Sequence, residues 1–396
     1  MLPQSCDVLI VGAGPAGMAL SITLAQSGIR PVVVERAATQ QTTSRAAVIH
    51  SHTLEVLEHL GVADRMLIEG KRLGKFAFRD RDRLLGMIRF DDLPSKHRCL
   101  LMLPQDRTEA IMLDRLTELG VEIVRGVTFA GMKDEGGRVA AVLDTASGRR
   151  TLSARFLVGA DGMHSAVRAA CSIPFDGAQY EESFVLADVT FDTSTHRDEV
   201  SLFFSPDGLV VVAPLQDERY RIVATVDESP EKPDARFMQA LLDARGPTSP
   251  GLGRIREVVW SSRFRLHHRL ARHYRRGRVF ILGDAAHVHS PAGGQGMNTG
   301  LVDAFTLGRL LAEVLLGRAD EASLARYERL RRPAAARVLA LAGRLTRAAT
   351  LRSRRARTIR NLVLSVLARL PGFRRRLAMN LSGLARRSAT YAETYR

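Results

Sequence analysis

The sequence predicts an α/β fold in which a parallel sheet is assembled from segments that lie far apart in the chain. A short apolar run at 7–11 opens into a glycine-rich turn, and an apolar helical stretch and a second apolar run at 31–34 follow. This order of strand, turn, helix and strand is typical of a βαβ unit, whose two strands are parallel. Further apolar runs at 155–160 and 278–283 each lead into a turn that contains an aspartate, and they are predicted to be the third and fourth strands.

A second, mostly antiparallel sheet is predicted between these segments. Residues 74–89 alternate polar and apolar side chains, and several short runs rich in β-branched and aromatic residues occur between 183 and 260. From residue 301 onward the pattern is helical. The chain is therefore predicted to contain a discontinuous nucleotide-binding domain at 1–73, 98–182 and 265–340, a substrate domain at 74–97 and 183–264, and a basic helical C-terminal region at 341–396.

The composition is that of an ordinary globular protein. The 396 residues are 45% hydrophobic and 25% charged, and no apolar run reaches the roughly 20 residues of a membrane-spanning helix. The three cysteines are widely separated and lack CxxC spacing, which favours a reducing cytoplasm over a disulfide framework. The histidine pairs have no matching cysteines or carboxylates at metal-ligand spacing, so no metal site is predicted.

Most of the net charge of +16 lies at the end of the chain. Residues 341–396 contain fourteen arginines and one glutamate, a net +13, so the preceding residues carry only +3. A protein that acts on nucleic acid more often places basic residues around its cleft, interleaved with aromatic side chains. The uneven charge therefore argues against a nucleic-acid partner.

Glycines at three fixed positions mark the first turn as a dinucleotide site. Gly12 permits the tight turn, Gly14 lets a pyrophosphate approach the backbone, and Gly17 lets the helix pack closely on the strand. The helix N-terminus supplies free N–H groups and positive potential for the phosphates. Glu35 ends the second strand, where a carboxylate accepts hydrogen bonds from an adenosine ribose. A Rossmann-type domain that binds FAD or NAD is therefore predicted.

Two later segments decide between these cofactors. They are LVGADGMHSAVR at 157–168 and RVFILGDAAHVHSPAGGQGMNTG at 278–300. Together with the glycine turn they resemble the para-hydroxybenzoate hydroxylase family of single-component (group A) flavin monooxygenases. The resemblance implies non-covalently bound FAD, NADPH or NADH as the electron donor, and dioxygen as a co-substrate. It also implies that a flavin hydroperoxide hydroxylates an aromatic or similarly conjugated small molecule.

The resemblance implies roles for individual residues. The implied FAD-binding residues are Gly12, Gly14, Gly17, Glu35, Arg36, Arg45, Gln105, Asp161, Asp284, Gly296, Met297 and Asn298. The motif linked to NAD(P)H adds Gly162, His164 and Arg168, and the predicted catalytic wall beside the reacting oxygen consists of Pro291, Gly293 and Gly294. The residues support this loop independently, because its glycines remove side chains just before a helix. Its amides and the helix N-terminus can then face a flat ring and stabilise negative charge near N1 and O2.

The substrate side is less well specified. Arg219 and Arg221 point to one face of a predicted strand, and Tyr220 points to the other. The two arginines either meet a phenolate or carboxylate of the substrate, or pair with an acid on a solvated face. The solvated face is the favoured interpretation, and the para-hydroxybenzoate reaction itself is not assigned.

Three functions other than hydroxylation are compatible with a flavin-binding chain: halogenation, reduction of double bonds and redox sensing. A flavin halogenase is disfavoured because the chain has a single tryptophan, Trp260, and no WxWxIP signature. A reductase of isoprenoid-type double bonds stays open. A non-catalytic redox sensor is disfavoured because Asp161-Gly162 and the full PAGGQGMN loop at 291–298 are retained.

The C-terminal region carries two apolar stripes at helical spacing. The first consists of Ile359, Leu362, Val363, Val366, Leu367 and Leu370, and the second of Phe373, Leu377, Leu381 and Leu384. Basic amphipathic helices lie on anionic membranes, but they also pack on their own domain or on a partner subunit. Peripheral contact with the inner membrane surface, self-packing and a homodimer therefore all stay open. The basic tail and the lack of an obvious cluster for a small acid favour a hydrophobic polycyclic or alkyl-bearing aromatic substrate.

Overall fold

A computed structural model describes residues 2–40, 46–193, 198–248, 252–290, 293–351 and 353–390, without the side chains of 179–182 and 266. The strands are β1 Ser5–Val11, β2 Val32–Glu35, β3 Val48–Ile49, β4 Lys71–Leu73, β5 Lys75–Asp80, β6 Arg83–Arg89, β7 Leu100–Met102, β8 Ile123–Arg125, β9 Thr128–Asp134, β10 Val139–Thr145, β11 Gly148–Gly159, β12 Phe175–Phe191, β13 Glu199–Ser205, β14 Gly208–Pro214, β15 Arg219–Val226, β16 Ile255–Ala271, β17 Arg275–Arg276, β18 Val279–Ile281 and β19 His287–Val288. The helices are α1 Pro15–Gln26, α2 Ser51–His59, α3 Ala63–Glu69, α4 Gln105–Glu118, α5 Ala166–Ala170, α6 Ala235–Arg245, α7 Gln295–Leu315, α8 Ala325–Ala349, α9 Arg354–Leu367 and α10 Pro371–Leu381, with 3₁₀ turns at Gly283–Ala285, Glu321–Leu324 and Leu384–Ala389.

The first sheet is parallel along the strand order β18-β11-β1-β2-β8. β17 pairs antiparallel with β18 at one edge, and β9 and β10 extend antiparallel from β11. Val11 lies beside both Gly159 and Val34, and Gly159 lies beside Ile281. The strands therefore end at one edge, where ligands bind in open α/β sheets. The predicted parallel sheet of distant segments is confirmed.

Helices α1 and α7 pack closely on this sheet. The central strand β1 has Val8, Leu9 and Ile10 fully buried, as expected for a parallel strand covered on both faces. A methyl group at Gly308 of α7 would lie 2.7 Å from Thr23 of α1, so the two helices meet at a glycine. The two helices therefore pack closely on each other beside the sheet.

The second sheet has the order β19-β16-β12-β15-β14-β13-β5-β6, and its pairs are antiparallel except for β13 with β5. The predicted mostly antiparallel sheet is confirmed. One face packs on α6, a helix that the strand-like pattern of this region did not predict, in a cluster that includes Tyr220, Ile222, Ala224, Met238 and Leu242. Asp234 caps α6 by accepting a 2.8 Å hydrogen bond from the backbone N–H of Phe237.

The opposite face of the second sheet packs on the end of the chain. We call this group the tail-side cluster, and its members include Phe76, Phe78, Phe184, Phe204, Leu209, Ala349, Ala378, Leu381 and Leu384. Leu381 and Leu384 of the second apolar stripe are thus buried against their own chain, and Leu377 packs on the same cluster. Among the described residues, none of the helices combines the length and apolarity that a membrane-spanning segment requires.

Candidate active site

The glycine turn is shaped by close backbone contacts. Gly12 has a φ of +104°, and a methyl group there would lie 2.4 Å from the carbonyl oxygen of Ala160. A methyl group at Gly17 would lie 2.0 Å from the carbonyl oxygen of Gly12. At Gly14, by contrast, no described atom lies within 4 Å of the methyl position. The turn therefore leaves open space beside the start of α1.

The N-terminus of α1 is free to bind an anion. Pro15 occupies its first turn, and Gly14 caps the helix without a side-chain hydrogen bond. The first amides of a helix have no intrahelical partner, and the helix dipole places positive potential there. Open space at Gly14 together with these amides fits a pyrophosphate.

Glu35 joins the glycine turn to the end of β2. Its carboxylate accepts 2.9 Å hydrogen bonds from the backbone N–H groups of Ala13 and Ala37. An ionised carboxylate has about four acceptor positions, so two bonds leave capacity for a ribose. Arg36 is exposed beside it, and Arg45 lies outside the described residues.

The Asp161-Gly162 motif follows β11 and adjoins the glycine turn. A methyl group at Gly12 would lie 2.9 Å from the Cα atom of Asp161. Asp161 Oδ2 accepts a 3.1 Å hydrogen bond from the N–H of Val167, whereas its buried Oδ1 receives none from the described residues. A buried carboxylate oxygen needs a donor, and a bound ligand can provide it. Gly162 has a φ of +80°, and His164 is exposed.

Arg168 ties this motif to the turn at Gly283–Ala285. Its guanidinium donates 2.9 Å hydrogen bonds to the carbonyl oxygens of Ala285 and Met163. It also stacks over the ring of Phe175, with Cζ 3.9 Å from the ring centroid. Burial lowers the pKa of Arg168 from its ordinary value. This arginine thus holds two of the predicted cofactor segments together.

The turn at Gly283–Ala285 meets the starts of both long helices. Gly283 has a φ of +58°, and a methyl group there would lie 3.2 Å from Ala16 Cβ and 3.9 Å from Gly300 Cα. Asp284, the next residue, is exposed. Its carboxylate therefore lies at the shared edge of β18, α1 and α7.

The glycine loop before α7 is held against β3. Gly294 has a φ of +62°, and a methyl group there would lie 2.0 Å from Val48 Cγ1. Asn298 Nδ2 donates to the carbonyl oxygens of Val48 (2.9 Å) and Gly294 (2.8 Å), and its Oδ1 accepts from the N–H of His50 (2.8 Å). Gly296 and Met297 are half-buried in the first turn of α7, and Pro291 lies outside the described residues.

Gln105 contacts the segment that leads into β3. Its Oε1 accepts a 3.2 Å hydrogen bond from the N–H of Ala46, two residues before Val48, and its Nε2 donates to Glu109 Oε1 at 2.8 Å. Burial raises the pKa of Glu109, with the bond from Gln105 opposing the shift. The sequence-predicted residue Gln105 and the glycine loop therefore contact neighbouring positions of one short segment.

Two residues that support the glycine loop, Gln295 and Arg386, are not predicted from the sequence. The fully buried Gln295 donates from Nε2 to the carbonyl oxygen of Leu381 (3.0 Å) and accepts at Oε1 from Arg386 Nη2 (2.7 Å). Arg386 lies in the 3₁₀ turn Leu384–Ala389, and burial lowers its pKa to about 10. The motif PAGGQGMN includes Gln295. No spacing in the sequence links this glutamine to Arg386, so their contact could not be predicted.

Two buried histidines also adjoin the loop. Burial lowers the pKa of both His50 and His289 to about 4, so both are neutral near pH 7. Nε2 of His50 lies 3.1 Å from the carbonyl oxygen of Gly294, and Nδ1 of His289 lies 2.9 Å from that of Ser290. Because a carbonyl oxygen only accepts, these nitrogens carry the protons. The other ring nitrogens have no hydrogen-bond partner among the described residues.

A buried ion network lies behind the Gly283–Ala285 turn. His287 Nε2 lies 2.6 Å from Asp303 Oδ2, and Arg331 Nε donates to Asp303 Oδ1 at 2.7 Å. Burial raises the pKa of Asp303, but Arg331 and His287 outweigh it, so that the pKa is lowered. The network joins β19, α7 and α8 and so fixes the start of α7 indirectly.

The structure separates the two arginines predicted on the substrate side. Arg219 is partly exposed and pairs with Asp217 at 3.1 Å. Arg221 is only 4% exposed and donates from Nε and Nη2 to the two carboxylate oxygens of Asp188, at 2.7 Å each. A solvated face was therefore wrong for Arg221, whose side chain is buried together with that of its partner Asp188. Substrate contact by either arginine stays a prediction.

Comparisons with known proteins agree with this geometry. Residues 5–342 match the family model described as FAD binding domain. The chain is 37% identical to 6-methylpretetramide 4-monooxygenase of Streptomyces rimosus, over all of this chain and 72% of that protein. It spans 64% to 72% of the length of three curated monooxygenases that it matches.

Solved structures share the fold. The p-nitrophenol 4-monooxygenase PnpA of Pseudomonas putida has a TM-score of 0.88 at 23% identity, covering 97% of this chain and 99% of that one. The OxyS anhydrotetracycline hydroxylase of Streptomyces rimosus has a TM-score of 0.80 at 32% identity, covering 96% of this chain and 76% of that one. The resemblance stated from the motifs is confirmed, and the open turn at Gly14, the buried Asp161 Oδ1 and the glycine loop fit FAD.

Proposed function

The chain belongs to the FAD binding domain family and is an FAD-dependent monooxygenase of aromatic compounds. On this basis we propose that its substrate is a polycyclic aromatic molecule. We also propose that NADPH or NADH supplies the electrons. The observation that carries the substrate proposal is the apolar cluster that packs beside the glycine loop. A methyl group at Gly293 would lie 3.6 Å from Leu381 and 3.7 Å from Leu345. Leu381 belongs to the tail-side cluster, and Leu345 packs on it. Phe184 and Phe204 continue this cluster onto the second sheet.

The charge distribution supports a largely uncharged substrate. A small aromatic acid needs a cation whose charge is not already paired, but Arg221 forms an ion pair with Asp188 through two hydrogen bonds. The two relatives named as acting on 6-methylpretetramide and anhydrotetracycline have fused-ring substrates, and each is more than 30% identical to this chain. Apolar walls bind such ring systems by removing their surface from water.

Bound FAD would supply the hydride acceptor and the ring at which dioxygen is activated. The protein would bind its pyrophosphate at the glycine turn and α1, its ribose at Glu35, and its sugar chain at Asp284. The amides at the start of α7 would stabilise negative charge on the ring. Asn298 and Gln295 hold those amides in place. The tail-side cluster would exclude water from the reacting atoms.

The substrate proposal is tested by turnover of the FAD-loaded protein. Fused-ring phenols and monocyclic phenols are compared for stimulation of NADPH and NADH oxidation, and products are examined for an oxygen atom derived from labelled dioxygen. We expect fused-ring compounds to stimulate oxidation and to gain one labelled oxygen. Labelled product from monocyclic phenols alone would overturn the polycyclic proposal, and reduced double bonds without labelled oxygen would indicate a reductase.

We also propose that helix α9 binds an anionic lipid surface on the cytoplasmic side of the inner membrane. We define the α9 apolar face as Ile359, Leu362, Val363, Val366 and Leu370, whose side chains are 46% to 62% exposed. The helix is held by its other side. Arg360 Cζ lies 4.1 Å from the ring centroid of Phe204, and Asn361 donates a 2.7 Å hydrogen bond to Asp80. The apolar face is therefore not needed to dock α9 on its own chain.

Charge favours lipid over a second copy of the chain. The exposed charged side chains around the α9 apolar face are Arg354, Arg355, Arg369, Arg374, Arg375 and Arg376. In a homodimer, two such faces would bring arginines next to arginines, which repel each other. Anionic headgroups would instead neutralise the arginines, and each arginine would contribute about 1 kcal/mol to membrane binding. A lipophilic substrate dissolved in the membrane would then reach the enzyme at higher local concentration.

Vesicle flotation tests this contact. The full chain should float with phosphatidylcholine–phosphatidylglycerol vesicles at low salt, but not at high salt or with phosphatidylcholine alone. Leu362→Gln with Val366→Gln should abolish flotation, whereas Ile68→Gln, at another exposed apolar side chain, should not. Absence of flotation at low salt rules out the lipid contact. A lipid-free dimer that the double variant dissociates would assign the face to a second copy.

A further inference from the structure

The 3₁₀ turn that ends the described chain places a cation behind the glycine loop. Arg386 is 9% exposed. Its side chain donates to Gln295 Oε1 (2.7 Å) and to the carbonyl oxygen of Asn380 (3.3 Å). Neither partner is charged, and no carboxylate of the described residues lies within ion-pair distance of Arg386. Buried charges in proteins are usually paired, so this arrangement needs an explanation.

Its neighbours do not provide the missing negative charge. The adjacent Arg387 is partly exposed and pairs with Glu55. The other buried arginine of this region, Arg331, pairs with Asp303. Arg387 and Arg331 thus have counter-ions, and Arg386 differs from both.

The position of Arg386 relates it to the cofactor. Gln295 is the first residue of α7, and its side chain connects Arg386 to the helix end whose amides follow Gly294. The two histidines at this loop, His50 and His289, add no charge of their own near pH 7, because burial lowers the pKa of each and Arg386 lowers it further. The helix N-terminus and Arg386 therefore contribute positive potential of the same sign at one place.

We propose that Arg386 is a positioning residue that raises the reduction potential of bound FAD by stabilising, through Gln295 and the start of α7, the negative charge gained on reduction. The inference rests on the proposed function only in requiring that FAD binds at this loop. A buried charge acts strongly because water does not screen it. Bound FAD in its reduced form would supply the negative charge that Arg386 lacks among the described residues.

The test is the midpoint potential of the FAD-loaded protein and its variants, measured by reductive dye titration without substrate. Arg386→Met should shift the two-electron reduction equilibrium at least tenfold toward oxidised FAD, which is about 30 mV lower in potential. Arg386→Lys should retain most of the wild-type potential. Arg375→Met removes the same charge from an exposed position on α10 and should leave the potential unchanged.

A second variant covers the case in which Arg386→Met fails to fold or to hold FAD. Arg386→Gln removes the charge but keeps an amide N–H donor for Gln295 Oε1, so it should also lower the potential tenfold or more. Unchanged potentials in Arg386→Gln, or equal shifts in Arg386→Met and Arg375→Met, would overturn the proposal. Because no substrate is present, this outcome is independent of whether a polycyclic compound is hydroxylated.

Discussion

Asp284 shows how a single exposed carboxylate acquires a role from its position. It follows Gly283, whose backbone approaches both α1 and α7, and its own side chain is exposed at the sheet edge. A carboxylate at such a point contributes little to folding, because surface charges have small effects on stability. Its placement beside the glycine turn fits the proposed hydrogen bond to the sugar chain of FAD.

Replacing this carboxylate should weaken cofactor binding without unfolding the protein. We expect Asp284→Ala to reduce FAD affinity by about 1.5–3 kcal/mol, the range for a hydrogen bond to a charged group. Equilibrium dialysis of the apoprotein against FAD measures the loss. Asp64→Ala, at an exposed aspartate on α3, is the matched control and should bind FAD normally. Equal affinities for the two variants would show that Asp284 does not contact the cofactor.

The buried histidines at the glycine loop predict a pH dependence of stability. His50 and His289 have pKa values of about 4 in the folded protein, against an ordinary value of 6.5. The unfolded chain therefore binds more protons, and stability is lost as pH falls from 6.5 toward 4. The loss should reach about 2 kcal/mol for each histidine at pH 5.

Urea unfolding at pH 7 and pH 5 measures this dependence. His289→Gln should reduce the difference between the two free energies of unfolding, since a neutral side chain has no proton to bind. His164→Gln, at an exposed position, should leave the difference unchanged. A wild-type difference that His289→Gln does not reduce would contradict the assignment of a neutral buried histidine.

At the scale of elements, the two C-terminal helices use their apolar residues in opposite ways. α10 and the turn after it bury Ala378, Leu381 and Leu384 in the tail-side cluster, whereas α9 exposes its apolar face. Similar stripes at helical spacing thus have different environments, which periodicity alone cannot distinguish. Only contacts such as those of Arg360 and Asn361 show which side of α9 faces the sheet.

A matched pair of leucines tests this difference. Leu381→Ala should destabilise the protein by about 2–4 kcal/mol, because it leaves a cavity beside the glycine loop. Leu370→Ala, at a side chain that is 50% exposed, should change the free energy of unfolding by less than about 0.5 kcal/mol. Denaturant unfolding of the FAD-loaded proteins gives both values, and similar losses would contradict the packing of α10.

At the scale of the whole molecule, the sequence predicted the parallel sheet because each of its strands is a short apolar run next to a diagnostic turn. It predicted the positions of the cofactor motifs for the same reason, and the structure brings the segments at 12–17, 161–168 and 283–285 together. It did not predict Arg386 beside Gln295, because ninety-one positions separate them and no local pattern encodes the contact. Burial of Arg221 was missed likewise, since its partner Asp188 lies on the neighbouring strand β12, 33 positions away in the sequence.

The convergence of distant segments on one cofactor predicts that FAD stabilises the molecule as a unit. Glu35, Asp161 and Asp284 come from three separate parts of the chain, and each would contact the same bound FAD. A ligand that binds only the folded state, present at 100 times its Kd, adds about 2.7 kcal/mol to the free energy of unfolding.

We therefore expect the purified protein to be yellow and to release intact FAD in acid. The apoprotein should be less stable, and it should regain that stability in one cooperative transition when FAD is added. Asp284→Ala should need more FAD for the same gain, whereas Asp64→Ala should not. If FAD stayed attached after acid denaturation, non-covalent binding would be wrong. If added FAD left the unfolding midpoint unchanged, the segments would not share a cofactor.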